Sequence, residues 1–583
     1  MMSTDNSKTR VCIIGAGVSG LPSIKSCLEE GFTVICYEKS DDIGGLWNYR
    51  HNSPPDEGMV MKSTIVNTSK EIMAYSDYPP PEEYPNFMHN KLVQEYLINY
   101  AKEFDLLKYI KFNIAVNKVE LNPTGNNEYK TWKVTLSNGE IELFDKIMLC
   151  TGHHSKPQYP LNVKGLEKFN GKIMHAKEYR DYKGFEDKDI FIVGIGNSAL
   201  DISVELAKIA KSVTISTRRG SWIFNRCSQG GMPYDILLMS RLYQQTMNTI
   251  PWTVANDFME HRLQQRMDHD LYGLRPNHRF FQQHPTVNDA LANHLLSGMI
   301  TVTEDVDFIE EDSVVVKNGK KFKCDVLILA TGYTFSFPYL EPQDIIPINN
   351  HVVDLYKYIF PLNYPQLAVI GLIQPIGSIA PISELQSRVA CQVFGKKITL
   401  PSKDDQMMDI DEKRRIMRRR YFESNKHTIQ VDYIPYMDEL AEMIGCKPQL
   451  KNYFWNDFKF FLRLYVGANV PYVYRLTGPH NWPGARKAIE DVPIRVKKPI
   501  KNRECRMRKH KRRGVLDEYF RYTSMKWIAT YSVLILSTGV WVFCFGPTGI
   551  NLLSYFVGVF IFLFIFSFML LWFDIQYDMT TIF

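Results

Sequence analysis

"RVCIIGAGVSGLPSIKSCLEEGFTVICYEKS", residues 10–40, decides the fold. "VCII" reads as a buried strand, a helix runs to about Glu30, and "TVICY" is a second strand that delivers Glu38. Between the first strand and the helix, Gly15, Gly17 and Gly20 spell GxGxxG around Ala16, Val18 and Ser19. The first glycine permits a tight turn. The second lets the backbone approach a pyrophosphate, and the third lets helix and strand pack closely. The helix N-terminus adds free amides and a positive dipole end for the phosphates. Glu38 is placed to accept from ribose hydroxyls, and its charge would repel a 2′-phosphate, so this half suits FAD or NAD. "DDIGGLWNY" (41–49) follows, with Gly44 and Gly45 permitting another tight turn. Gly45, Leu46 and Trp47 are candidates to wall an isoalloxazine ring, which favours FAD. Plain core packing is the alternative for Trp47.

The same grammar recurs in "DIFIVGIGNSALDISVELAKIAKSVTISTRRG" (189–220). Gly194, Gly196 and Ala199 give GxGxxA around Asn197 and Ser198. The next strand ends in Arg218 and Arg219 instead of an acid. Two cationic forks match a 2′-phosphate, so this half reads as an NADPH site. Two solvated surface arginines are the competing reading. "FDKIMLCTGHH" (144–154) and "CDVLILATGYTF" (324–335) close the two halves with a similar apolar strand and Thr-Gly turn.

These patterns predict an α/β fold with mainly parallel sheets: two Rossmann-like dinucleotide-binding domains, the FAD domain split by an inserted NADPH domain, plus C-terminal membrane helices. The boundaries read as 1–165 for the first part of the FAD domain and 166–330 for the NADPH domain. Residues 331–494 carry the second part of the FAD domain and a globular region. Residues 495–525 form a basic juxtamembrane segment, and 526–583 a membrane anchor. Within the NADPH domain, residues 222–300 are rich in Met, aromatics, Arg and His. They read as an insertion covering the active site or touching the membrane.

Charge and cysteine usage exclude several classes. The chain of 583 residues has net charge +6, yet residues 495–513 alone hold eleven Lys/Arg against one Glu. The rest of the chain is therefore net acidic, which is not the footprint of a nucleic-acid-binding domain. None of the ten Cys forms a CxxC pair, which argues against zinc sites, dithiol redox centres and a disulfide framework. No metal site is expected. Residues 527–545 and 546–573 carry no charge, and the second stretch exceeds the roughly 20 residues a bilayer crossing needs. One membrane span or two fits, with the preceding basic run on the cytosolic side.

The chain resembles the flavin-containing monooxygenases over almost all of its length. "FNGKIMHAKEY" (169–179) matches that family's fingerprint through Phe169, Gly171, His175 and Tyr179. "VNTSKE" (66–71), "TGHH" (151–154), "GIGNSALDI" (194–202), "STRRGSW" (216–222), "LATGYTFSFP" (329–338) and "GLIQPIGSI" (371–379) match as well. "TRRGSWIFNR", "QHPTVND" and "KHTIQVDYI" look closest to the family's fifth mammalian branch, which is associated with Baeyer–Villiger oxidation of ketones as well as heteroatom chemistry.

The resemblance implies an NADPH- and O2-dependent flavoenzyme that forms a C4a-hydroperoxyflavin. It would oxygenate soft N or S nucleophiles, or insert oxygen beside a carbonyl. An NADPH oxidase releasing H2O2 is the alternative. The resemblance places Asn67 beside the flavin as the catalytic amide, flanked by Val66 and Thr68, although "NTS" is also a glycosylation sequon. Ser198 and Asp201 fall where the family's NADP-binding helix starts, and a simple helix-start role fits equally. Gln374 would face the flavin ring, with loop packing as its alternative. His175 is expected to hold its segment by hydrogen bonding, not to act as a base. The partners implied are a small-molecule substrate, O2 and, through the tail, membrane lipid. The endoplasmic reticulum membrane is implied, with the catalytic body facing the cytosol. A homo-oligomer is left open.

Overall fold

The computed structural model describes residues 9–501, apart from 53, 55–56, 123–131, 160–162, 229–230, 350–351 and 422–427. Both glycine-rich stretches fold as the sequence predicts, each at the heart of a five-stranded sheet. In the first sheet the strand order is Leu367–Val369, Lys146–Leu149, Arg10–Ile14, Thr33–Tyr37, Ile110–Lys111, and every pairing is parallel. In the second it is Thr301–Thr303, Ser212–Ser216, Asp189–Val193, Val326–Leu329, Lys172–His175, again all parallel. Continuous apolar runs such as Val11–Ile14 and Ile190–Ile192 are buried because helices or loops cover both faces of such sheets.

The helix Gly20–Glu29 follows the first strand directly. Pro22 is tolerated in its first turn, where amides lack intrahelical partners. The helix stops at Gly31, whose φ of +77° suits only glycine without strain. Gly31 N–H donates to Leu28 O at 3.0 Å and Phe32 N–H to Cys27 O at 3.0 Å, closing a Schellman turn. The outer face of this helix is covered by Ile379–Phe394, itself buried along nearly its whole length.

Behind these two helices lies a buried ion network. Arg475, 1% exposed, donates Nε to Ser76 Oγ at 2.8 Å and Nη1 to His480 O at 2.7 Å. Its guanidinium lies 2.9 Å from Glu384, 3.0 Å from Asp77 and 3.3 Å from Glu29. Lys25 completes the set at 2.5 Å from Glu29 and 2.7 Å from Asp77. Burial opposes ionisation of Asp77, yet Arg475 and Lys25 hold its carboxyl below the usual range.

Three features depart from, or extend, the sequence reading. First, an antiparallel meander, Val116–Leu121, Trp132–Leu136 and Ile141–Phe144, buries Trp132 against the first sheet's core. Second, the fingerprint segment is more than a linker: Lys172–His175 is the edge strand of the second sheet. Third, Lys156–Pro157 and Tyr333–Thr334, where the chain passes between the two sheets and back, pair antiparallel with each other. Gln158 N–H also donates to Gly332 O at 2.9 Å.

The expected membrane helices of 526–583, and most of the basic segment, lie outside the described residues. Among the described residues no helix is long and apolar enough to cross a membrane.

Candidate functional site: two nucleotide cradles and the loop between them

The first cradle is shaped by what its glycines exclude. Gly15 has φ +99°, and a Cβ there would sit 2.8 Å from Cys150 O. A Cβ on Gly20 would sit 1.9 Å from Gly15 O, so the turn exists only because position 20 has no side chain. Gly17 and Gly45 face one another: a Cβ on Gly17 would lie 3.7 Å from Gly45 Cα, and one on Gly45 3.3 Å from Gly17 Cα. The two bare backbones leave a slot that a side chain on either would fill, which fits a pyrophosphate. Ser19 Oγ lies 3.0 Å from Ser383 Oγ, and Val18 O accepts from Tyr75 Oη at 2.7 Å. Leu46 O accepts from Val60 N–H at 3.1 Å, and Trp47 is half-buried.

Glu38 is already engaged in this structure. One oxygen accepts from Ala16 N–H at 2.7 Å, the other from Ser40 N–H at 2.9 Å and Ser40 Oγ at 2.8 Å. It braces the turn itself, and the oxygen that accepts from Ala16 keeps capacity for a further donor. In the turn after Lys146–Leu149, both ring nitrogens of His153 are buried, with the Gly371 backbone beside the ring. Burial keeps both His153 and His154 neutral, pushing His154 down to about 4.

The second cradle is more open. Gly194 has φ +123°, and a Cβ there would meet Ala330 O at 2.4 Å. Gly196 caps the helix Asn197–Leu206 and, like Ser198, is exposed, whereas Ala199 is buried against the sheet. Arg218 and Arg219 are both exposed just past Ser212–Ser216, in a turn closed by Gly220 N–H to Thr217 Oγ1 at 3.0 Å. This placement suits a 2′-phosphate at the end of the second strand.

The fingerprint residues are packed, not poised. Phe169 and Tyr179 are buried, and a Cβ on Gly171 would strike the Phe169 ring at 2.5 Å. His175 is fully buried and burial lowers its pKa. Its Nδ1 accepts from Lys177 N–H at 3.0 Å, while its own N–H donates to Glu178 Oε1 at 3.0 Å. These bonds fix the end of the edge strand by a capping box.

Between the cradles runs the "VNTSKE" loop. Val66 N–H donates to Met88 O at 2.9 Å. Asn67 and Thr68 are half-buried, and Asn67 Oδ1 accepts from Arg226 Nη2 at 2.8 Å. Ser69 N–H donates to Asp235 Oδ2 at 2.5 Å. Arg226 and Asp235 both come from the 222–300 stretch, so that segment reaches the Asn67 loop directly. Gln374 starts a short strand paired with Gln430–Asp432, with its N–H donating to Ile429 O at 2.8 Å. Next to it, Pro375 O lies 3.4 Å from His284 Nε2.

Asn197 and Asp201 are drawn into the same stretch. Val287 N–H donates to Asn197 Oδ1 at 2.8 Å and Asn288 Nδ2 to Asp201 Oδ1 at 3.2 Å. The sequence reading missed Arg226, Asp235, His153, His284 and Asp289. Arg226 closes "TRRGSWIFNR", His284 and Asp289 stand in "QHPTVND" and His153 in "TGHH", motifs quoted for resemblance without a role for these side chains, and Asp235 stood in none.

Burial raises Asp235 to about 6 and Asp201 to about 6. A carboxyl raised on folding favours the native state below its unfolded pKa, and that contribution is lost as pH rises through about 6. Asn at 235 can still accept the Ser69 N–H. Asp235→Asn should therefore melt above the wild type at pH 7.5, with the gap roughly halved at pH 5 and gone only below the ordinary carboxylate pKa of about 4. Parallel melting curves at the two pH values would contradict this.

The flavin-binding monooxygenase-like family model matches residues 8–535. The chain is 46% identical over 502 residues to flavin-containing monooxygenase 5 of Homo sapiens, covering 85% of this chain and 94% of that protein. It is 42% identical over 500 residues to flavin-containing monooxygenase 2 of Homo sapiens, covering 85% and 93%. Among solved structures, S-allyl-L-cysteine S-oxygenase from Allium sativum superposes with a TM-score of 0.58 at 23% identity, over 83% of this chain and 99% of that one. Cyclohexanone monooxygenase from Rhodococcus sp. Phi1 bound to NADP+ gives 0.57 at 15%, over 75% and 97%. These two likenesses speak for the fold.

Proposed function

We infer that this chain, which belongs to the flavin-binding monooxygenase-like family and is an FAD-dependent monooxygenase, takes its electrons from NADPH. From that premise we propose that it oxygenates soft N or S nucleophiles of small molecules, or ketones by Baeyer–Villiger insertion, with O2 as co-substrate. The observation that carries the reading is the opposed charge at the two cradles: Glu38 at the first second-strand end, Arg218 and Arg219 at the other.

The first cradle, Gly15–Gly20 with Glu38 and Gly45–Trp47, holds FAD; a carboxylate at the ribose disfavours a 2′-phosphate there. The second, Gly194–Ala199 with Ser198, Arg218 and Arg219, holds NADPH, the arginines gripping the 2′-phosphate as bidentate forks. Reduced flavin, once bound, supplies the activation of O2. The chain's own work is to place the two cofactors, aim the Asn67 amide and Gln374 at the flavin, and keep water out. Val66 and Thr68 shape the loop that carries Asn67. His153 and His154, held neutral by burial, supply no proton.

The same fold serves a relative named for S-oxygenation and one named for cyclohexanone, so substrate preference rests on this chain's pocket. The uncharged stretches 527–545 and 546–573 attach the enzyme to the endoplasmic reticulum membrane, its body in the cytosol.

The test offers the purified holoenzyme a thioether, a tertiary amine and a ketone with NADPH. Products are identified, and H2O2 is measured against NADPH consumed. At least one oxygenated product is expected, with peroxide a minor fraction. Three negative results with nearly one H2O2 per NADPH would replace this reading with an NADPH oxidase.

A further inference from the structure

Arg226 sits where three structural threads meet. Its Nη2 donates to Asn67 Oδ1 at 2.8 Å and its Nη1 to Asp289 Oδ2 at 2.7 Å. Its backbone N–H donates to Asp289 Oδ1 at 3.0 Å, and Asn225 Nδ2 reaches Asn288 O at 3.2 Å. The guanidinium is 11% exposed, and Asp289 fixes its plane.

The residues just before Asp289 are those that grip the second glycine-rich loop. Thr286 Oγ1 donates to Ile195 O at 2.9 Å, Val287 N–H to Asn197 Oδ1 at 2.8 Å, and Asn288 Nδ2 to Asp201 Oδ1 at 3.2 Å. The same residues form a parallel ladder with Ile223–Phe224, extended by Asn288 N–H to Phe224 O at 2.9 Å. Residues 223–226 and 286–289 are thus one hydrogen-bonded piece. One edge holds Asn197 and Asp201, and the other holds Asn67.

A guanidinium has donors and no acceptor. Facing Arg226, the Asn67 amide must present Oδ1; a flipped amide would set its NH2 group against the cation. Asn67 therefore keeps Nδ2 as the group it can offer in the other direction.

We propose that Arg226 is a positioning residue that links the second glycine-rich loop to Asn67: a nucleotide seated on Gly194–Ala199 sets the Asn67 amide through Thr286–Asp289 and Arg226. This rests on the reading of Asn67 as the residue facing the flavin. The path is a contiguous chain of hydrogen bonds, the physical form that coupling between sites takes.

The test uses full-length holoenzyme carrying Arg226→Met, Arg226→Lys or Asn67→Leu. Three quantities are measured: NADP+ binding by equilibrium dialysis, the change in the oxidised flavin spectrum on adding NADP+, and H2O2 per NADPH. Arg226→Met should retain FAD and bind NADP+ nearly as the wild type does. It should lose most of the NADP+-induced flavin spectral change and raise the peroxide fraction about fivefold or more. Arg226→Lys keeps one donor and should recover part of both. If Asn67→Leu uncouples the enzyme while Arg226→Met leaves spectrum and coupling at wild-type values, the link is refuted. If Asn67→Leu itself stays coupled, the reading of Asn67 fails first. Should Arg226→Met not fold, Asp289→Asn, which loosens the guanidinium but keeps an acceptor, answers through the same two readouts. Wild-type values there would equally overturn the proposal.

Discussion

Arg475→Met should cost about 3–5 kcal/mol of stability, because it removes one partner from a buried ion network and leaves the others unpaired. Arg475 offsets Glu29, Asp77 and Glu384 while holding Ser76 and the His480 carbonyl. Without it, Lys25 keeps its contacts to Glu29 and Asp77, Arg388 acts on the carboxylates without a direct ion pair to them, and Glu384 keeps the Ser76 donors. The network ties the helix Gly20–Glu29 to Ile379–Phe394, so its loss should loosen the layer beneath the first cradle. Denaturant unfolding of the holoenzyme measures the loss, and FAD retention reports its local reach. Pairing Arg475→Met with Glu384→Gln should cost less than the two changes summed, since the second removes a charge that the first stranded. A loss under 1 kcal/mol would mean that water already reaches the network.

Gly20→Ala should abolish flavin retention, lowering affinity about a hundredfold or more, roughly 3 kcal/mol. The added Cβ would fall 1.9 Å from Gly15 O and 2.9 Å from Gly15 C, which are backbone atoms of the turn. No side chain can move aside to relieve it. Gly17→Ala separates fold damage from ligand exclusion. Its Cβ meets nothing closer than 3.7 Å, so the apoprotein should melt normally while the slot shared with Gly45 is blocked. A Gly20→Ala protein that purifies yellow, with one FAD per chain, would remove the first loop from the flavin site.

The cradles were legible because each of their glycines answers a local geometric demand that spacing alone reveals. The parallel sheets were legible because runs such as "VCII" and "DIFIV" are apolar on both faces. The meander of Val116–Phe144 was not, since its first strand alternates weakly and its last turns Ile141 and Leu143 outward while Glu142 shares the face of buried Phe144, the reverse of the expected pattern. Lys172–His175 escaped notice because an edge strand of four residues, two of them exposed, has no periodicity to read. Arg475 and Arg226 were invisible for another reason. A lone arginine reads as surface, and only tertiary contact with residues far along the chain makes it internal. For Asn67 the resemblance implied a catalytic amide without saying which end it presents. The guanidinium facing it assigns the acceptor half.

The antiparallel pair Lys156–Pro157 and Tyr333–Thr334 has a mechanical consequence. Two separate tethers would let one sheet swivel freely against the other. Stitched side by side, they act as a single strip that flexes across its width far more readily than it shears. The rings of His154 and His175 press edge-on against Tyr333 on that strip, 5.3 and 5.4 Å between centroids, and stiffen it further. The strip resists swivel of one sheet about the other, and the Arg226–Asn67 and Asp235–Ser69 hydrogen bonds hold the same two halves together at a second place. For the two cradles this means a fixed mutual alignment: what one glycine-rich loop holds faces the other loop at an angle set by the backbone and not by side-chain contacts alone.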